Sequence, residues 1–482
     1  MGPRRRRGGR GGAAGAASPG RTGVGDPLMP SHKEILEAQK YNRQRLVTAF
    51  ASGVPEGKEV EPRSAFAPMM VGVALVAVML LVAVILGWLS PKLPRDWHNS
   101  TLIVVKGSGA RYYSIDAVLH PVTNITSAKL LAERGRYQTS EVSADTIDGI
   151  TRGAPIGLTG VPDDVPSAKD LRSDLWLSCP LTSGTHTWVA DLPTGHVRRD
   201  AAVVSTEDQL HLVTDGVRHL IPQEHRTAVL LALGLETTPP VTVPASWLAL
   251  FPPGSVLQPL SVPDAGQPAA DMPPALSEAV VGSVVEVGDG AASRRYVITG
   301  AGRAAPLSQV AAKLYPSSAP LTASVSDMAG LEVEHAGLAP ADWPTQIHDV
   351  VPPDAIPCAS LSRDAAGEPL TLLGSMERNA LAAALPGNGT VEEKLSSDRA
   401  SSSVLGGSGA LVRANAGGEL GQVMLVSDLG LVHGLGNSPE ESLSRLGYEQ
   451  ARIVDLPAEW TGLIPPGTTL DPEGAWATVG VR

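Results

Sequence analysis

Two cysteines, eleven histidines and several glycine-rich stretches are the residue sets in this 482-residue chain whose type or spacing could carry chemistry. Glycines cluster at Gly107/Gly109, Gly153/Gly157/Gly160 and Gly406/Gly407/Gly409, where bared backbone N–H groups could cradle a phosphate. None is followed by the Lys and Ser/Thr that a G-x-x-x-x-G-K-[ST] loop uses to hold phosphate and magnesium. The density of Gly and Pro in GAPIGLTG, residues 153–160, instead marks a close-packed turn. HExxH, G-x-S-x-G and CxxC are missing and the histidines lack ligand spacing, so no catalytic residue, metal or cofactor is expected. His120, in LHPV, is expected to be a structural histidine, and the sequons at Asn99, Asn124 and Asn388 mark loops or turns. Cys179 and Cys358 are an isolated pair; in an exported domain they form one disulfide, with a reduced buried pair as the alternative.

The elements that would position these residues begin with a membrane helix. No residue from Ser64 to Pro91 is charged, and Met69–Leu89 is 21 residues of almost purely aliphatic character. At about 1.5 Å per residue this run spans roughly 30 Å, the hydrocarbon thickness of a bilayer. It starts too deep in the sequence for a signal peptide, and the lone Gly72 and Gly87 are poor material for a dimerisation face. Trp88 suits the interface. Lysines and arginines near the two ends are similar in number, Lys58 and Arg63 before against Lys92, Arg95 and Lys106 after. The wider N-terminal charge, with Arg4 to Arg7 and Arg10, favours a cytoplasmic N-terminus.

Residues 1–30 are rich in Gly and Arg, cannot form a core and are expected to be disordered, without nucleic acid as a partner. Ser31 and Glu34 form a capping box that opens a helix to Phe50, within a cytoplasmic segment 31–67 that leads to a membrane helix at 68–90. Its small apolar stripe, Ile35, Tyr41 and Leu46/Phe50, must bury against the lipid surface or a partner. Residues 1–67 hold twelve Lys/Arg against six Asp/Glu, which leaves about −17 of the net −11 for everything downstream. Gly and Pro together number 92 and aromatics make up 4%, which favours short strands and many turns.

Laid on itself at an offset of 213, the chain matches at Leu212–Asp215 and Leu425–Asp428, then at Leu230, Leu233 and Gly234 with Leu443, Leu446 and Gly447. The match continues through Pro244, Trp247 and Gly254 with Pro457, Trp460 and Gly467, the frame of a PA-x-W-x-x-L-x-PPG tail. Residues 101–131 and 284–315 form a weaker pair. The expectation is an α+β fold at 91–482, with four β-β-α repeats near 101–135, 209–254, 284–335 and 421–467. Core segments near 136–208 and 336–420 carry one cysteine each and would meet in the middle of an elongated, pseudo-twofold body. Trp247 and Trp460 are expected to pack in the repeat cores, with peptide anchoring as the alternative.

These residues resemble a known family. KYNRQRLVTAF (Lys40–Phe50), Arg111-Tyr112-Tyr113, LHPVTNITSAKLL (Leu119–Leu131), TRGAPIGLTGVP (Thr151–Pro162), Trp176 with Cys179, Cys358 and PAEWTGLIPPG (Pro457–Gly467) are similar to EccB, the core membrane subunit of actinobacterial type VII secretion systems. The resemblance covers about residues 31–480. It implies a cytoplasmic N-terminus, a periplasmic domain of a core with four repeats and a disulfide, and self-association within an inner-membrane complex. It also implies the motor subunit EccC and the membrane subunits EccD and EccE as partners. The function expected is structural, assembling the periplasmic part of the machine. ATP hydrolysis without a Walker A loop and cell-wall binding are the alternatives.

Overall fold

The computed structural model describes residues 32–52, 66–88, 93–288, 293–316 and 319–479, in two compact units, 1–90 and 91–482. In the first unit the helix His32–Ser52 carries Glu34 in its first turn, and its Ile35, Leu46 and Phe50 are exposed. The expected cap Ser31, the tail 1–30 and the linker after Gly53 lie outside the described residues. The helix Phe66–Trp88 is apolar throughout; over Phe66–Ile85 its mean hydropathy is 2.8 with no residue buried, so by length and composition it can cross a membrane.

The second unit is α+β. Each repeat is a three-stranded antiparallel meander, a short helix, and a further strand that returns parallel to the first. In repeat 1 these are Thr101–Val105, Arg111–Ile115, Val118–Pro121, the helix Ile125–Leu131 and Gln138–Val142. Repeat 2 runs Ala201–Thr206, Gln209–Thr214, Val217–Ile221, Arg226–Leu233 and Val241–Thr242. Repeat 3 runs Val284–Val287, Arg294–Gly300, Arg303–Leu307, Gln309–Leu314 and Leu321–Ala323, and adds Glu332–Val333 at its other edge. Repeat 4 runs Ala410–Ala416, Glu419–Val426, Val432–Gly434, Pro439–Leu446 and Val454–Pro457.

Local chemistry accounts for these units. Several meanders turn on two residues of left-handed backbone, such as Asp215-Gly216 and Gly417-Gly418, which match the twist of the flanking strands. The duplicated L-x-x-L-G is a helix stop. Gly234 and Gly447, with φ of 74° and 82°, end their helices, and their N–H groups bond back to Leu230 and Leu443.

Between the repeats lies a six-stranded sheet in the order Ala400–Val404, Thr185–Val189, Trp176–Pro180, Ala355–Arg363, Pro369–Glu377, Val197–Arg198. Each half of the chain supplies one central hairpin and sends its third strand across to the other half's hairpin. The twofold holds in strand order but not in direction: Ala400–Val404 pairs parallel, Val197–Arg198 antiparallel. One face of this sheet packs on repeats 2 and 4 in a shared core that includes Val204, Trp247, Val412 and Trp460. Repeat 3 then packs on repeat 2 through Val229, Leu233, Val310 and Leu314, and repeat 1 on repeat 4 through Leu130, Leu131, Leu446 and Tyr448. The order of contact is therefore repeat 3, repeat 2, central sheet, repeat 4, repeat 1.

Candidate functional site

At the middle of the central sheet, Trp176–Pro180 and Ala355–Arg363 run antiparallel with Ser178 opposite Ala359. One step along this register sets Cys179 against Cys358, with Cα atoms 4.3 Å apart and the sulfurs bonded. Side chains alternate across a strand. Leu177, Cys179, Ile356 and Cys358 therefore point to one face, under the helices Arg378–Ala384 and Val391–Leu395, while Trp176 and Ala359 point to the other.

That second face receives the duplicated tails. Pro244 and Pro457 precede the short helices Ala245–Leu248 and Ala458–Thr461, which drive Trp247 and Trp460 fully into the core. The Trp247 indole N–H donates to the carbonyl of Ser178 at 3.0 Å, beside the bridged cysteine, and that of Trp460 to the Thr371 hydroxyl at 3.3 Å. Trp460 also meets Trp176 edge to face at 6.2 Å.

The four tails are equivalent by hydrogen bonding. The N–H groups of Gly153, Gly254, Glu334 and Gly467 each donate to the third strand of their own repeat, at Leu119, Arg218, Ala304 and Val432. Seven residues earlier stand Thr146, Trp247, Asp327 and Trp460. Tryptophan thus occurs where a repeat faces the central sheet, and a polar residue where the repeat is terminal, as stacked arrays require of their ends.

A second recurring pair escaped the fixed-offset reading. His120, His219 and His433 occupy one position of the third strand, and each Nδ1 bonds the carbonyl after a tail glycine, at Ala154 (2.9 Å), Ser255 (2.8 Å) and Thr468 (2.7 Å). Each ring lies against that glycine. A Cβ on Gly153 would stand 2.2 Å from His120 Cε1, on Gly254 2.8 Å from His219 Cε1, and on Gly467 2.5 Å from His433 Cε1. Repeat 3 has Ala305 in place of the histidine and Glu334 in place of the glycine, so both partners change together. His219 and His433 are 214 apart rather than 213, which hid them.

Several N–H donors of the glycine-rich stretches are in use. In GAPIGLTG the N–H groups of Gly153, Ile156 and Gly157 donate to Leu119, Pro121 and Ala477, and that of Leu158 to the Ser127 hydroxyl. Gly109 donates to Val105, and Gly407 to the Asp428 carboxylate at 3.1 Å. Each of these groups already has a protein acceptor. Among the described residues no three or more His, Cys, Asp or Glu come together as a metal site.

His186 joins the two halves on the disulfide face. Fully buried, its Nδ1 and Nε2 lie 2.8 Å and 3.0 Å from the hydroxyls of Ser401 and Ser403 on the strand that crosses from the other half, and its ring meets Trp188 edge-on at 4.3 Å. Burial pushes its pKa down from 6.5 to about 4. A folded-state pKa below the unfolded one means stability is complete above about 6.5 and is lost as pH falls toward 4, by roughly 3 kcal/mol. His196, His211 and His433 are lowered by burial too, in the same sense. The urea midpoint of the protein is therefore expected to drop between pH 7 and pH 4.5, and His186→Gln to flatten that drop. An unchanged acid profile in the variant would refute the assignment.

The family model described as type VII secretion system ESX-1, transport TM domain B, matches residues 28–480. This chain belongs to that EccB family. The ESX-2 secretion system ATPase EccB2 of Mycobacterium tuberculosis is 31% identical over 245 residues, 47% of this chain and 48% of that protein. The ESX-5 secretion system ATPase EccB5 of Mycobacterium marinum is 29% identical over 195 residues, 37% of this chain and 38% of its own. In these matches the EccB-family chain spans about half the length of the curated relatives or less. Among solved structures, a chain of an intact ESX-5 inner membrane complex superposes with a TM-score of 0.63 at 21% identity, over 95% of this chain and 97% of that one. The EccB3 dimer from the ESX-3 core complex gives 0.60 at 23%, over 78% and 99%. At these identities the likeness establishes a shared fold.

Proposed function

We propose that this chain is a structural subunit of a type VII protein secretion complex in the cytoplasmic membrane of an actinobacterium. Its N-terminus is cytoplasmic, and its bridged domain helps to build the periplasmic part of the machine. The observation that carries the reading is the domain's construction: one apolar span and then a doubled, disulfide-pinned stack of repeats around a central sheet. Family membership supports the system, and the relatives solved within ESX-5 and ESX-3 complexes support assembly in an inner-membrane complex and self-association of the periplasmic domain; EccC, EccD and EccE are the partners that the family resemblance implies. Lipid surrounds the span, and the helix His32–Ser52 docks on a cytoplasmic partner through its apolar residues.

The relatives' names favour a second reading, ATP hydrolysis. Phosphoryl transfer needs a positioned cradle, a metal ligand and charge stabilisation. The structural reading, with no such set recognisable in the sequence, predicts that the full chain, purified in mild detergent, co-elutes with EccC, EccD and EccE and hydrolyses no ATP when freed of EccC. Deleting residues 31–53 is expected to release the cytoplasmic partner. Magnesium-dependent hydrolysis that follows the isolated chain through size exclusion and vanishes in one folded Lys or Asp variant would overturn the structural reading.

A further inference from the structure

The third strands of the four repeats differ at one outward position. After His120, His219, Ala305 and His433 come Pro121, Leu220, Pro306 and Gly434. The backbone confirms the equivalence: the carbonyls of Pro121, Leu220 and Gly434 accept from Ile156, Leu257 and Leu470 at 2.8–2.9 Å. Repeat 4 alone leaves this strand bare, and a cleft of about 820 Å³ opens over Gly434, within the range of small-ligand sites.

One wall of the cleft comes from the segment after Leu470. Asp471 caps the helix Pro472–Ala475 by accepting from Gly474 at 2.6 Å. The segment that follows is stitched to residues 155–157 by bonds from Val479 to Pro155 and from Gly157 to Ala477. On this ordered backbone Trp476 lines the cleft and stands 49% exposed, leaving about half of a large apolar side chain outside the packing. The same wall carries the carboxylates of Asp471 and Glu473, and the rest of the lining adds the amides of Gln422 and Asn437 and the Glu441 carboxylate. Among the described residues no Lys or Arg lines the cleft. The nearby Arg445 is committed to Glu441 and to the carbonyls of Leu130 and Ala132.

An indole face beside amides and carboxylates, without a cation, suits a pyranose ring. Its C–H face stacks on the aromatic plane, its hydroxyls donate to carboxylates, and an acetamido or hydroxyl oxygen accepts from Gln or Asn. Phosphates and nucleotides would meet only negative charge. We propose that the cleft of repeat 4 binds a neutral oligosaccharide of hexose or N-acetylhexosamine units. This goes beyond the structural role and does not depend on it, since binding is measurable whatever complex the chain enters.

The test uses the full chain in lipid nanodiscs, free of glycoside detergent, titrated with chitotetraose and with cellotetraose by calorimetry and saturation-transfer NMR. Saturable binding of at least one is expected, weakened tenfold or more by Trp476→Ala and by Gly434→Leu. The second variant restores what repeat 2 carries; a Cβ at Gly434 meets only Thr469, at 3.9 Å, so the fold accommodates it. An unchanged melting midpoint in Gly434→Leu identifies its loss as occlusion of the cleft. No saturable binding of either sugar, binding unaltered in Gly434→Leu, or a hexalysine peptide bound in preference to both sugars would overturn the proposal.

Discussion

A Gly467→Ala variant will lose several kcal/mol of stability, and the same substitution will cost about 2 kcal/mol less in a chain whose His433 is already alanine. The added methyl would stand 2.5 Å from His433 Cε1 and 2.6 Å from Nδ1. The ring cannot withdraw, because it is fully buried, with Nε2 on the Ser427 hydroxyl at 2.9 Å and Nδ1 on the Thr468 carbonyl at 2.7 Å. Overpacking of this kind costs about 1–3 kcal/mol, and stranding the imidazole's partners adds roughly 1–3 more. In a domain of this size that corresponds to a fall of roughly 5–10 °C in melting midpoint. His433→Ala alone also destabilises, since it removes both bonds. Together the two changes recreate what repeat 3 already tolerates at Ala305 and Glu334. The double variant should therefore be more stable than the sum of the singles by about 2 kcal/mol. Additive losses in the four melting curves would show that ring and glycine are not one unit.

What the sequence made legible follows from what is local. The membrane helix needs only an uninterrupted apolar run, and the helix stops at Gly234 and Gly447 need only a residue that accepts positive φ. Both are visible in a window of a few residues. The tryptophan tails were visible because two copies survived at a constant offset. The first strands of repeats 2 and 4 were not, for a geometric reason. Val204 and Val412 are equivalent through their pairing with Val241 and Val454, an offset of 208, while Leu212 and Leu425 stand 213 apart. The first hairpin of repeat 4 is five residues longer, so a fixed-offset search loses the strand before it.

The strand crossing in the central sheet was illegible for another reason. Ala400–Val404 pairs with Thr185–Val189 across more than two hundred residues, and no local pattern in ASSSV names its neighbour. In the structure the backbone pairing and the His186 contacts to Ser401 and Ser403 reveal that link. The cleft of repeat 4 needed both the repeat alignment and the fold of the last residues before it could be recognised.

Replacing both cysteines, Cys179→Ala with Cys358→Ala, is expected to loosen the centre of the domain while its ends stay folded. The bridge closes a loop of 179 residues, and in the chain-entropy treatment such a closure contributes about 5 kcal/mol by restricting the unfolded chain. That stabilisation falls on one place, because each half supplies one of the two bridged strands and their direct pairing is short, Ser178 with Ala359 and Leu177 with Ser360. The terminal repeats hold themselves differently. Repeat 1 is anchored on repeat 4 through its helix, with Arg445 capping the carbonyls of Leu130 and Ala132, and repeat 3 on repeat 2 through apolar helix contacts. Neither interface includes the cysteines. Hydrogen exchange of the double variant should therefore accelerate in 176–189 and 355–377 and stay near the parent's rate in 101–131 and 284–314, with a melting midpoint lower by roughly 5–10 °C. Both residues become alanine, so no unpaired thiol is left to complicate the comparison. If exchange in the central strands is unchanged, or if peptide mapping of the parent under non-reducing conditions recovers both cysteines as free thiols, the bridge is not what joins the halves. The packing of Trp247 and Trp460 against the opposite face of the sheet would then have to hold them together.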